Sequence, residues 1–225
     1  RANSLVIGAR LLKAFINADT SGNRVWLGAI TGGDKHNAIP REFDATILVE
    51  TSLVASIEQR FQTIQANILE EIARREPDAT VSLMATSVPD RVVTPGDSTR
   101  IVDLLSAMPN GVLGMSHEVP GLVETSSNLA SIRLEGNQVR VLTSQRSNRN
   151  TLIDWVGGIV ASCFSLAGAG IRHAERYPAW PANPDSTILK TAVETYKEMA
   201  GTAPQVGAFH AGLECGVIGD KIGGM

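Results

Sequence analysis

Residues 52–77 read SLVASIEQRFQTIQANILEEIARREP, and the rest of the first ninety residues is placed by that run. Leu53, Ile57, Phe61, Ile64, Ile68 and Ile72 recur at steps of three and four, which puts one apolar stripe along an α-helix. Ser52 is its candidate cap, and Pro77 ends it. Upstream, Leu5, Leu11, Leu12, Phe15 and Ile16 predict a helix over 2–18. RVWLGAI (24–30) is strand-like, and residues 37–50 end in a strand on which Phe43, Ala45, Ile47 and Val49 alternate. ATVSLMATSV (79–88) predicts a further strand. The order is helix, strand, strand, helix, strand, which suits a split βαβ layout with helices on one face of a sheet.

The order then repeats in pattern, though not in residues. STRIVDLLSAM (98–108) reads as a helix capped by Asp97 or Ser98, and NGVLGMSHEVPG as a loop. Residues 122–134 and 138–146 form a hairpin across EGNQ. An apolar helix over 150–167 and a strand, GIRHAERYP, complete the second unit. The Pro-rich YPAWPANPDS (177–186) leads to a last helix over 186–200. Asp185 is its cap, Gly201 closes it, and Ile188, Leu189, Ala192, Val193, Tyr196 and Met199 are its inner side. PQVGAFHAGLECGVI is then a strand and turn. The predicted architecture is α+β: two ferredoxin-like units with antiparallel sheets, 1–90 and 91–180, followed by a helix–strand tail, 181–225.

Charge narrows the partners. Twenty Lys and Arg face 23 Asp and Glu, with no basic stripe, which argues against nucleic acid and anionic membranes. Trp155 to Ile171 carries no charge, but its glycines and serines fit a buried helix better than a membrane span. Two cysteines, Cys163 and Cys215, make no disulfide framework and point to a reducing compartment. The chain opens on Arg1 without a signal-peptide pattern, and both ends read as cuts within a longer protein.

Three segments carry candidate chemistry. HAGLECG (210–216) offers His210, Glu214 and Cys215; it fits a metal site, a substrate-binding carboxylate or a glycine-rich strand end. Gly212 and Gly216 argue against a helix there. In GGDKHNAIPRE (32–42), Asn37 suits holding a peptide carbonyl, or merely satisfies its own loop. In TSQRSNRN (143–150), Arg146 presents a guanidinium fork that suits a carboxylate, or is one more surface arginine. His36, His117 and His173 stand alone and read as loop or surface residues, and Cys163 as a core residue. No phosphate loop, serine elbow or H-E-x-x-H is present.

GGDKHNAIPRE, VETSSNLASI, QRS, YPAWPANPDS and HAGLECGVI, in that order, resemble the aminoacyl-histidine (Xaa-His, cytosolic β-alanyl) dipeptidases over the whole chain. The resemblance implies a cytoplasmic, two-zinc metallopeptidase acting on dipeptides such as carnosine. It implies that this chain is the lid and dimerisation part, with a short return into the catalytic domain. No catalytic residue and no zinc ligand is then expected here, since the family's lie before and after this segment. Two zincs belong to the whole enzyme and none to this segment. Glu214 would face the substrate's free amino group, with His210 supporting it. Asn37 would hold the scissile carbonyl and Arg146 the C-terminal carboxylate. The competing reading is a free-standing ferredoxin-like module that binds a small ligand without catalysis, and it has no need of HAGLECG or the Pro-rich connector. A complete small hydrolase would need a nucleophile or metal set that four scattered histidines do not make.

Overall fold

The computed structural model describes residues 2–17, 24–174, 178–179, 183–207 and 214–222. Helix α1 spans Ser4–Ile16. Asn3 caps it: its side-chain oxygen accepts from the backbone N–H groups of Leu5 at 2.9 Å and Val6 at 3.3 Å. Leu5, Ala9, Leu12, Phe15 and Ile16 form the buried face. Strands β1 (Val25–Gly32) and β2 (Phe43–Val49) pair antiparallel, with Val25 opposite Val49 and Gly32 opposite Phe43. Helix α1 packs on both strands. Gly8 makes that approach possible, because a Cβ there would meet the Phe43 ring at 2.3 Å.

Helix α2 spans Val54–Ile72 and buries Ile57, Phe61, Ile68 and Ile72, as the apolar stripe requires. Its start differs from expectation. A 3₁₀ turn, Thr51–Leu53, precedes it, and no side chain caps it. Ser52 lies within that turn, its hydroxyl 3.5 Å from the Glu50 carboxylate. Helix α3 spans Pro95–Ala107, and its cap is Thr94 rather than Asp97 or Ser98. Pro95 enters at the first helical position, where a missing N–H is harmless. Ser98, fully buried, instead accepts from the Leu27 backbone N–H at 3.0 Å and so fastens α3 to β1.

Strands β3 (Gly111–Met115), β4 (Val123–Glu135) and β5 (Gln138–Ser147) complete a single five-stranded sheet in the order β2-β1-β4-β3, with β5 also on β4. Strand β4 meets β1 antiparallel, with Thr31 opposite Arg133. The hairpin turns at Gly136, whose φ of +60° suits glycine. Two corrections concern strands. GVLGM, expected as loop, is β3, because the long neighbour β4 supplies its ladder partner. ATVSLMATSV, expected as strand, has none among the described residues. Val81 packs on the core and its carbonyl accepts from Gln65, but Ser82 to Val88 are exposed and pair with no described strand. Residues 170–174 of GIRHAERYP likewise form no strand, and 175–177 lie outside the described residues.

Helix α4 covers Asn150–Leu166 and buries Val156, Val160 and Phe164. Cys163 is half-buried against the core. No described helix is long and apolar enough to cross a membrane. Helix α5, Thr187–Ala200, ends at Gly201 in the left-handed region as expected. Its first residue follows Ser186, which makes no side-chain cap, and Asp185 is not the cap. Nor has it an inner side: it buries no residue, and Ile188, Tyr196 and Met199 are 75%, 51% and 85% exposed. Leu189, Ala192, Val193 and Tyr196 line an open groove with Pro204–Gly207. Of PQVGAFHAGLECGVI, expected as a strand and turn, residues 204–207 form no strand, 208–213 lie outside the described residues, and 214–218 belong to helix α6, Glu214–Ile222. Gly216 lies buried within it, where glycine weakens a helix by about 1 kcal/mol without forbidding it.

The chain divides into two compact units. One comprises 1–111, 127–144 and 158–171; the other 112–126, 145–157 and 172–225.

Candidate functional site

In the first unit, the β1–β2 connection presents Asn37. The chain leaves β1 through Gly33, whose φ is +64° and whose Cβ, if it had one, would lie 2.0 Å from the Ala130 carbonyl oxygen. Only glycine fits both conditions. At the other end Pro40 is buried, and its carbonyl accepts from the Ser4 N–H at 3.2 Å, while the Ser4 hydroxyl donates to the Glu42 carbonyl at 2.8 Å. Between these anchors, residues 35–38 turn and leave His36 and Asn37 exposed at the tip.

Strand β4 holds that turn from beneath. Arg133 donates to the Thr31 hydroxyl at 3.1 Å and the Gly33 carbonyl at 3.0 Å. The Asn128 side-chain amide donates to the carbonyls of Ala38 at 2.8 Å and His36 at 3.3 Å, one on each side of Asn37. Asn128 is itself 3.4 Å from the Asn3 amide nitrogen, which also donates to Asn110 at 3.0 Å and to the Leu129 carbonyl at 2.9 Å. Asn3 is 6% exposed, so these bonds are made largely out of water.

In the second unit, Arg146 lies near the end of β5, half-buried. Among the described residues its guanidinium has no hydrogen bond or ion pair. The two nearby carboxylates are committed elsewhere: Arg149 donates to Glu124 at 3.1 Å and to Glu118 at 2.7 Å. Those bonds, that to Glu124 first, hold the Arg149 guanidinium above its ordinary pKa. The Ser147 hydroxyl lies 3.0 Å from that of Thr125 and accepts from the Arg149 N–H at 3.1 Å, which fixes the strand end. Beside it the side-chain oxygen of Asn148 is buried with no partner among the described residues. The result is a guanidinium without an ion-pair partner among the described residues, on a braced strand, and guanidinium chemistry suits a carboxylate.

Glu214 is exposed at the first position of α6, where the helix dipole favours a negative charge. Among the described residues it forms no ion pair with Arg146. His210 lies outside the described residues, as does most of HAGLECG. His36, His117 and His173 are exposed. Among the described residues no group of three or more His, Cys, Asp or Glu side chains could hold a metal ion. Sequence reading missed Asn3, Asn128 and Arg133, which build the Asn37 turn, and Glu124, a nearly buried carboxylate that fixes Arg149.

The first unit presents an exposed amide at Asn37, and the second a half-buried guanidinium at Arg146. Comparison with known proteins finds homologues. The chain is 32% identical to a cytosol non-specific dipeptidase of Escherichia coli (strain K12) over 187 residues, 83% of this chain and 39% of that protein. Its structure matches that of the aminoacylhistidine dipeptidase from Vibrio alginolyticus with a TM-score of 0.88 and 31% identity, over 98% of this chain and 44% of that one. No protein-family profile matches. These two dipeptidases are homologues of the chain, which spans about two fifths of their length.

Proposed function

We propose that this chain is the substrate-binding lid and dimerisation part of a cytoplasmic zinc dipeptidase that hydrolyses Xaa-His-type dipeptides. One observation carries the reading: two dipeptidases match this chain along most of its length, one in sequence and one also in structure. The alternative of a free-standing ligand-binding module has no comparable support. The proposal keeps the division into lid units 1–90 and 91–180, each ferredoxin-like, with 181–225 returning to the catalytic domain. It leaves both zinc ions, their ligands and the general base to residues outside this chain.

The roles follow from the chemistry of each group. The Arg146 guanidinium clamps the dipeptide's C-terminal carboxylate bidentately. The Asn37 amide donates to the scissile carbonyl, where negative charge develops as the peptide bond is attacked. Glu214 faces the free amino terminus, with His210 behind it. Each of these groups orients one part of the peptide. A second copy docks on the lid; the exposed apolar side chains of Met84 and Val88, 80% and 74% accessible, are the surface this reading gives it.

The test is Arg146→Ala in the full-length protein, assayed on a dipeptide and on the same dipeptide amidated at its C-terminus. The substitution should raise KM for the free dipeptide, by roughly 10- to 100-fold for a lost charge-assisted pair, and leave the amide unaffected. An equal effect on both substrates, or none on either, refutes the role of Arg146.

A further inference from the structure

We propose that Asn128 is a positioning residue for catalysis: it sets where Asn37 meets the substrate without touching the substrate itself. This rests on the reading of Asn37 given above. The Asn128 amide donates to the carbonyls of His36 and Ala38, so the peptide groups on both sides of Asn37 are held by one side chain. Its orientation is fixed in turn. The Asn128 oxygen faces the Asn3 amide nitrogen at 3.4 Å. The Asn3 oxygen accepts from two backbone N–H groups at the start of α1, Leu5 and Val6. Backbone N–H groups cannot exchange donor for acceptor, so Asn3 has one orientation, and Asn128 inherits one from it. Turning Asn128 over would set its oxygen against two carbonyl oxygens and its nitrogen against another nitrogen. The helix terminus therefore passes a fixed direction through two amides to the residues that flank Asn37.

A bond that served only to stabilise the turn would change melting temperature and leave turnover alone. A bond that places a carbonyl donor must change turnover, because displacement of a polarising group by about 1 Å costs on the order of 100-fold in rate. Asn128→Asp separates the two. It is nearly isosteric and keeps the oxygen that faces Asn3, but it removes both donors to the turn. In the full-length protein, with an unmodified dipeptide as substrate, Asn128→Asp should lower kcat roughly 10- to 100-fold with KM little changed. In an Asn37→Ala background the same substitution should have no further effect, since the two act through one contact. Asn128→Ala, neutral and without any side-chain donor, must behave alike, and it carries the test if the aspartate variant does not fold. If Asn37→Ala lowers kcat but neither Asn128 variant does, or if their losses multiply in the double variant, the proposal for Asn128 is overturned and the role of Asn37 stands. If Asn37→Ala itself leaves kcat unchanged, the reading of Asn37 falls, and this proposal with it.

Discussion

Replacing Asn3 tests how the first unit is held together. Its side chain makes two kinds of bond that different substitutions remove separately. The oxygen caps α1, a contribution of about 1 kcal/mol. The amide nitrogen donates to the buried Leu129 carbonyl and to Asn110, and leaving a buried acceptor unpaired costs about 1–2 kcal/mol. Asn3→Ala removes both, so it should destabilise the protein by about 2–3 kcal/mol. For a chain of this size that lowers the melting midpoint by roughly 5–10 °C. Asn3→Ser retains a cap of similar quality and should recover about 1 kcal/mol of the loss. Urea denaturation followed by far-UV circular dichroism measures both, provided tryptophan fluorescence gives the same midpoint. An alanine variant within about 0.5 kcal/mol of wild type, the range of an ordinary surface change, would refute the argument. A serine variant no more stable than alanine would refute the share assigned to the cap.

Other substitutions probe separate links. Gly33→Ala should destabilise by more than about 2 kcal/mol, because the left-handed φ alone costs about 1–2 kcal/mol and its Cβ meets the Ala130 carbonyl. Gly136→Ala, with similar φ and open space, should show the backbone cost alone, and thermal melts would compare the two. Ile68, fully buried on α2, should lose about 2–5 kcal/mol on truncation to alanine, read by the same melts. Arg10 donates to Glu71 at 2.8 and 3.1 Å and holds that carboxyl below its usual range. Stability from that pair is therefore full above the ordinary carboxylate pKa and is lost as pH falls through the lowered value. Carboxyl NMR titration should show Glu71 returning upward in Arg10→Ala; an unmoved titration would contradict the pairing.

The parts of the fold that repeat a local period were legible in the sequence. Helices α1 and α2 and the β4–β5 hairpin carry their apolar residues at spacings that any neighbour would respect. GVLGM failed as a prediction because two glycines in five residues hide a strand whose existence depends on β4. Residues 79–88 failed for the opposite reason: their composition favours a strand, but composition supplies no partner ladder. Helix caps shifted by a few residues wherever several Ser, Thr or Asp stood together, as at Thr94, Asp97 and Ser98. Asn37 and Arg146 were singled out by residue type and motif. The groups that brace them were not, because Asn3 and Asn128 stand 125 positions apart and meet only in the folded chain. For α5, helical periodicity was real, but periodicity alone names a face and not what covers it.

The central claim is that this chain serves a dipeptidase, and one measurement addresses it most directly. The full-length protein would be incubated with unmodified dipeptides, Xaa-His among them, and with the same peptides blocked at the amino or carboxyl terminus, and free amino acids quantified over time. The account predicts release from the unmodified dipeptides and little from either blocked form, because both ends of the substrate are bound. No release from any unmodified dipeptide, or equal release from the blocked ones, would contradict it.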